Sequence, residues 1–204
     1  MGSRADALNE QEAEVHAMRV TMLEELRTLT FLRSEFPMLA DWGVEDFDHT
    51  IHSLGLNYLT ALGRKLGFWA VSEYPVRRSN VRQYSGSVRC DVTWLMRPSG
   101  AVVLLGEFER YGPTKQRILR RKAENLAAAH HLLAGEARLL VLAVWTTSSV
   151  PVHGLRDLPN HVRGGFLDPS GNRVPPLPAN VDLLTPVFVL HPSERGLVLR
   201  EVLV

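Results

Sequence analysis

Residues 88–109, VRCDVTWLMRPSGAVVLLGEFE, consist of two runs rich in apolar and β-branched residues on either side of Pro98-Ser99-Gly100. Such runs are typical of strands, and a proline–glycine segment between them is typical of a turn. We therefore predict strands at residues 88–96 and 101–109, joined as an antiparallel hairpin. The rest of the predicted fold is arranged around this hairpin.

The turn also sets the pairing of the two predicted strands. With the Pro-Ser-Gly segment as the loop, Arg97 faces Ala101, and counting back places Asp91 directly opposite Glu107. Directly opposed side chains have Cβ atoms about 4.5–5.5 Å apart. Because side chains alternate along a strand, Glu109 shares the face of Glu107. The hairpin is therefore predicted to gather three carboxylates on one face.

Carboxylates gathered in this way repel one another unless a cation lies between them. Their hard oxygen atoms are the ligands that Mg²⁺ or Mn²⁺ prefers. A set of solvated acids on an exposed sheet face is the alternative interpretation. Because three acids converge beside strongly apolar strands, we favour a metal-dependent phosphodiesterase-type site formed by Asp91, Glu107 and Glu109. Alternation turns the neighbouring Cys90 to the other face, toward the core.

The remaining sequence predicts helices and strands on both sides of the hairpin. Apolar residues at helical spacing predict helices at residues 6–34, 44–66 and 114–134. Apolar runs predict further strands at residues 68–77, 138–146, 183–190 and 197–204. The segment 148–180 is rich in Pro and Gly and is predicted to be irregular. This order predicts an α/β fold with a mixed sheet flanked by helices.

Composition limits the classes of protein to consider. A chain of 204 residues suits a single domain, with an N-terminal helix at 6–40, a core at 44–147 and a C-terminal extension at 148–204. The single cysteine excludes a disulfide framework and suits a cytoplasmic location. No run of apolar residues reaches membrane-spanning length, so we expect no membrane partner. The net charge of +1 gives no global sign of nucleic-acid binding.

Asp91, the hairpin, the element Glu107-Phe108-Glu109, the following helix and the next apolar strand together resemble the PD-(D/E)XK nuclease superfamily. The resemblance covers residues 45–147 and includes the core order α-β-β-β-α-β. It implies a restriction-endonuclease-like fold and an endonuclease that hydrolyses DNA with Mg²⁺ or Mn²⁺. It also implies that Asp91 and Glu107 are metal ligands, with the Phe108 carbonyl as a third candidate.

The chain departs from the superfamily pattern where a lysine is usual, because Glu109 stands there. Some restriction enzymes of the superfamily also have glutamate at this place, which implies a general base or a second metal ligand. On the predicted helix 114–134, Lys115 and Lys122 fall within an apolar face that includes Ile118. A lysine on such a face needs a partner, unless it reaches out to solvent. Related nucleases sometimes move the catalytic lysine to this helix, so we predict Lys122 as the substitute and Lys115 as the alternative.

Basic residues near the hairpin suit a DNA backbone, although an ordinary solvated surface explains them nearly as well. The predicted nucleic-acid-binding residues are Arg77, Arg78, Arg89, Lys115, Arg117 and Arg121, and Arg82 and Arg120 add to the local charge. Weaker candidates are Glu45, Asp48, Glu73 and Gln116, and the histidine pairs His49/His52 and His130/His131 are interpreted as ordinary surface or structural residues. Two alternatives to an active nuclease remain: a catalytically inactive module that binds DNA or protein, and an assembly protein that dimerises through its first helix.

Overall fold

The computed structural model describes residues 4–46, 49–76 and 88–204, with side chains described from residue 13 onward. The helices are α1 (Arg4–Thr28), α2 (Thr30–Glu35), α3 (Thr50–Lys65), α4 (Gln116–Leu132) and α5 (Leu158–Arg163). The strands are β1 (Trp69–Val76), β2 (Val88–Leu95), β3 (Val102–Arg110), β4 (Leu139–Thr147), β5 (Phe166–Leu167), β6 (Arg173–Val174), β7 (Asp182–Leu184), β8 (Val187–Ser193) and β9 (Gly196–Leu203). Within these ranges no helix is both long and apolar enough to cross a membrane.

Seven strands form one mixed sheet in the order β1-β2-β3-β4-β8-β9, with β7 pairing to β4 beside β8. The pairs β1–β2, β2–β3 and β8–β9 are antiparallel, whereas β3, β7 and β8 each pair with β4 in parallel. Strands β5 and β6 form a separate two-stranded ribbon in the predicted irregular segment. The predicted α/β fold with a mixed sheet flanked by helices is confirmed.

Helices cover both faces of this sheet, and the central strand β4 shows how. Its residues Val141 and Ala143 pack in a cluster with apolar residues of α1 and α3. Leu140, Leu142 and Val144 pack in a second cluster with residues of α4 and α5. Because β4 is buried on both faces, its residues form an almost uninterrupted apolar run in the sequence.

The two N-terminal helices differ from their predicted bounds. The helix predicted at 6–34 is broken at Leu29, which is buried and left-handed with φ 56°. Glu25 accepts the Phe31 N–H at 3.2 Å, so its carboxylate satisfies a donor in the first turn of α2. The helix predicted from residue 44 begins only at Thr50, because the Val44 backbone pairs with Leu197 instead.

The hairpin forms as predicted, but the predicted pairing of residues near the turn is wrong. The structure places Leu95 opposite Val102, and Ala101 accepts the Met96 N–H at 2.9 Å rather than facing Arg97. A β-bulge between Trp94 and Leu95 absorbs the one-residue shift. Beyond the bulge Val92 pairs with Gly106, which is the predicted alignment, so Asp91 and Glu107 lie at the next position along the two strands.

Candidate active site

Glu107 lies in the middle of β3, on the side of the sheet that α4 covers. Its side chain has no exposed surface. Lys122 of α4 donates to Glu107 Oε2 at 2.6 Å. The other oxygen, Oε1, is buried and has no hydrogen-bond donor among the described residues. A buried carboxylate oxygen without a donor is rare, and it marks Glu107 as the most unusual side chain in this region.

Asp91 lies across from Glu107 on β2 and is 8% exposed. The backbone pairing of β2 with β3 reaches Val92 and Gly106, and just beyond it Asp91 Oδ2 accepts the Phe108 N–H at 3.0 Å. Lys122 Nζ lies 4.0 Å from the same Oδ2 atom. The strand pairing and the Phe108 N–H therefore hold the two acids side by side, with one ammonium group near both.

Lys122 reaches these acids from the margin of the buried face of α4. The fully buried residues Leu119, Ala123 and Leu126 define that face. Ile118 is 44% exposed, so the buried face is rotated away from it. The prediction that Lys122 falls in the middle of the apolar face is therefore wrong, although the structure does bring its Nζ to the carboxylates.

The electrostatics of this cluster follow from its burial. Burial raises the pKa of Glu107 to about 8, with the neighbouring Asp91 charge adding to the rise and Lys122 opposing it. Burial by itself lowers the pKa of Lys122, but Glu107, Asp91 and Glu109 more than reverse that effect, and the pKa is raised. The ammonium group therefore stays charged, while Glu107 can hold a proton near neutral pH.

Glu109 lies on the same side of the sheet, toward the end of β3. Its Oε1 atom accepts the Arg110 N–H at 3.0 Å and lies 3.7 Å from Lys115 Nζ. The two lysines thus divide between the acids, with Lys122 of α4 at Glu107 and Lys115, just before α4, at Glu109. Glu109 is partly exposed, and its Oε2 has no hydrogen-bond partner within the described ranges.

Cys90 packs in the core as predicted, but not on the face that strand alternation predicts. It is fully buried in the cluster beneath α4, together with Leu105 and Leu126, and not on the opposite face. Burial raises the pKa of its thiol, and the charges of Glu107 and Asp91 add to the rise. Across from Asp91 on β1, Glu73 has a left-handed backbone with φ 55°, which interrupts regular alternation at this level of the sheet.

The donor set fits a hard divalent cation only in part. Across residues 4–46, 49–76 and 88–204, no group of three or more His, Cys, Asp or Glu side chains is arranged to hold a metal ion. Two carboxylates, from Asp91 and Glu107, do lie together, and the donor-free Glu107 Oε1 is an oxygen atom that Mg²⁺ or Mn²⁺ would accept as a ligand. Phe108, whose carbonyl is the predicted third ligand, lies next to Glu107 and donates its N–H to Asp91.

The basic residues fall into three groups. Arg117, Arg120 and Arg121 are exposed on α4 and form no ion pair with any described residue. Arg89 is exposed and pairs with Glu73 at 3.1 Å. The predicted DNA contacts Arg77 and Arg78 lie outside the described residues, as do Arg82, which was expected to add to the local charge, and Asp48.

The weaker candidates do not join the acidic cluster. Glu45 and His49 are exposed, and the ring of His52 contacts Phe108. His130 and His131 bind the backbone carbonyls of Ala137 and Pro175. Sequence reasoning missed His153 and His161, which with Gln116, Arg120 and Asp157 line a cavity of about 100 Å³ beside the start of α4. Their only sequence signal is their place in the Pro- and Gly-rich segment after β4.

Comparison with known proteins adds no relative to this picture. No protein-family model matches the chain, and no curated protein or solved structure matches it. The geometry of the described residues is therefore the basis for any functional assignment.

Proposed function

We propose that this chain is a Mg²⁺- or Mn²⁺-dependent endonuclease of restriction-endonuclease-like fold that hydrolyses DNA. The observation that carries the proposal is the buried Glu107, which has one oxygen bound to Lys122 and the other without a donor, beside Asp91. The element order α3-β1-β2-β3-α4-β4 supports it, because the acids lie on β2 and β3 and the lysine on the next helix. This is the arrangement that the PD-(D/E)XK resemblance implies.

In this proposal Asp91 and Glu107 would hold the metal, with the Phe108 carbonyl as the candidate third ligand. When bound, the metal supplies a Lewis acid for the phosphodiester oxygen and lowers the pKa of the attacking water. Glu109 Oε2 accepts the proton that the water loses as its oxygen attacks phosphorus and the P–O bond to the leaving sugar breaks, and the departing sugar oxygen takes a proton from a solvent water. The Lys122 ammonium group stabilises the negative charge that develops on the phosphate oxygens.

The exposed face of α4 supports DNA as the substrate. Arg117, Arg120 and Arg121 project from the same helix that carries Lys122, and no described acid neutralises them. Unpaired arginines on one helix face are suited to phosphate contacts, which position a duplex without reading its sequence. Lys115, which is 37% exposed, adds a further positive charge to this surface, next to Glu109.

Cleavage of plasmid and linear DNA tests the proposal. We expect cleavage with Mg²⁺ or Mn²⁺, and a loss of roughly a hundredfold or more in Asp91→Asn and Glu107→Gln, the scale on which catalysis depends on one charged group. Glu73→Gln is the matched control. Glu73 lies across from Asp91 on β1, but its carboxylate is exposed and bound to Arg89. Metal-dependent cleavage that survives both active-site substitutions would reject the assignment.

A specific observation favours the second candidate, a catalytically inactive module on the same fold that binds DNA or a protein. Lys122 already compensates the charge of Glu107, and Glu109 stands where a lysine is usual. Calorimetric titration with Mn²⁺ discriminates between the two candidates. Binding that is lost in Asp91→Asn supports the nuclease, whereas the absence of metal binding together with retained DNA binding supports the inactive module.

A further inference from the structure

At a second place in the molecule, where α1 docks on the sheet, two arginines contact one carboxylate and a third arginine lies nearby. Asp182, at the start of β7, lies 3.2 Å from Arg19 of α1 and 3.6 Å from Arg163 of α5. Arg138, immediately before β4, lines the same cavity and forms no ion pair or side-chain hydrogen bond with any described residue. Arg163 does not line this cavity, so its charged lining consists of Arg19, Arg138 and Asp182, with a net formal charge of +1.

The cavity has room and donors for a ligand. Its volume is about 200 Å³, whereas a water molecule occupies only about 30 Å³. Arg19 Nε is buried and has no acceptor among the described residues. His16 and Asn180 complete the polar lining. A buried donor without an acceptor, next to an unpaired guanidinium group, is the environment that an anion would satisfy.

The site lies apart from the acidic cluster. Arg138 precedes β4, whereas Glu107 pairs with Leu142, about 13 Å further along the strand at 3.3 Å per residue. The cavity is also lined by Val15 and Arg19 of α1, and α1 packs on the face of the sheet opposite to α4. Its ligand would therefore not touch the residues of the proposed nuclease site.

We propose that this cavity binds a phosphate group. Guanidinium groups present pairs of N–H donors that match phosphate oxygens, and the donors left without a partner, on Arg138 and at Arg19 Nε, can bind different oxygens of one phosphate group. A carboxylate has only two oxygen atoms to share among the donors of Arg19, Arg138 and Asn180, whereas a phosphate has more. Bound phosphate would join α1 to the start of β4 through Arg19 and Arg138, and so stabilise the docking of that helix.

Titration with inorganic phosphate tests this site, using the full chain in the absence of divalent metals. We expect saturable binding by calorimetry and a higher unfolding temperature than in sodium chloride of equal ionic strength. Arg138→Gln should weaken binding by about tenfold or more, as expected for the loss of a charge-assisted hydrogen bond. Arg200→Gln is the matched control, because Arg200 is exposed on β9 and has no ion-pair partner in the described part of the chain.

Arg19→Lys provides a second, independent variant. It keeps the positive charge beside Asp182 but removes the buried Nε donor, so it should weaken phosphate binding severalfold. The proposal is overturned if phosphate stabilises the wild type no more than chloride does, or if Arg138→Gln and Arg19→Lys both bind like the wild type.

Oligonucleotides with and without a 5′-phosphate then identify the source of the group. If the phosphorylated strand binds more tightly than the unphosphorylated strand, and Arg138→Gln removes this difference in affinity, the ligand is a nucleic-acid terminus. If inorganic phosphate binds and that difference is absent, the ligand is a free phosphate or a small phosphate ester. Because the cavity contains no residue of the acidic cluster, failure of this test leaves the nuclease proposal unaffected, and the reverse also holds.

Discussion

Replacing Lys122 by methionine isolates the electrostatic contribution of the cluster around Glu107. Methionine keeps an unbranched side chain of similar length but removes the ammonium group that lies 2.6 Å from Glu107 Oε2. Glu107 is 0% exposed, so the substitution leaves a buried carboxylate without its counter-charge. The free energy of unfolding should therefore fall, and the fall should depend on pH.

The size of the effect follows from burial. Removing one partner of a buried ion pair costs about 3–5 kcal/mol. Because the Lys122 side chain retains 27% exposure, we expect the lower end, about 3 kcal/mol, at pH 9. For a chain of this length that corresponds to a fall of roughly 6–12 °C in the unfolding temperature. At pH 6 the loss should be smaller, because the pKa of Glu107 is about 8 and the carboxyl is then protonated.

The sign of the pH dependence follows from the raised pKa. Folded Glu107 holds its proton up to a pKa of about 8, whereas the unfolded chain releases it near 4.5. Its contribution to stability is therefore complete below about pH 4.5 and is lost as the pH rises toward 8. Without Lys122 the pKa of Glu107 should rise further, so the decline should extend to higher pH.

Urea unfolding in EDTA at pH 6 and pH 9 measures these differences. Lys115→Met is the matched control, because Lys115 lies 3.7 Å from Glu109 and is 37% exposed, so its removal should cost only about 0–1 kcal/mol. The double variant Glu107→Gln/Lys122→Met should recover part of the loss, because no buried charge remains. The electrostatic account is wrong if Lys122→Met and Lys115→Met have equal stability at pH 9.

Three further substitutions test how the surroundings hold the site. Gly55→Ala should destabilise the fold by about 1–3 kcal/mol, because its Cβ would lie 2.2 Å from the Phe108 ring; unchanged urea unfolding would contradict this packing. His130→Gln should reduce the stability that the protein loses between pH 7 and pH 5. Burial lowers the pKa of His130, so below about pH 6.5 the unfolded chain binds this proton more readily than the folded protein does; an unchanged pH dependence of the unfolding free energy in this range would count against it. Tyr111→Phe should speed hydrogen exchange in residues 152–157, because the Tyr111 hydroxyl donates to the His153 carbonyl and accepts its N–H; equal exchange rates would show that the loop is held by other contacts.

Local sequence signals were sufficient for the hairpin strands and β4, but not for the break of the predicted strand 183–190 into β7 and β8. Proline and glycine marked the turn, and the apolar runs marked β2, β3 and β4 to within one or two residues. The predicted pairing at the turn was nevertheless wrong. The Asp91–Glu107 alignment survived because a bulge at Trp94 compensated for the shift, and no local pattern announced that bulge.

The positions of α4 side chains show a different limit. Helical periodicity predicted that Lys122 faces the sheet, but it placed the centre of the buried face too close to Ile118. The rotation of a helix about its axis depends on the shape of the surface that it covers, here the clusters around Leu105 and Leu140. Periodicity reports which residues share a face, and packing decides how deeply each of them is buried.

The sequence by itself determined the α/β class, the hairpin and the presence of acids on one side of it, because alternation and turn chemistry depend on residues that are close in the chain. Only the tertiary structure decided that Glu107 is fully buried, that its partner is Lys122 while Lys115 meets Glu109, and that Cys90 shares their side of the sheet. It also brought Arg19 and Arg138 together across more than a hundred residues of chain. Burial and long-range contacts arise when distant elements pack, so no local pattern encodes them.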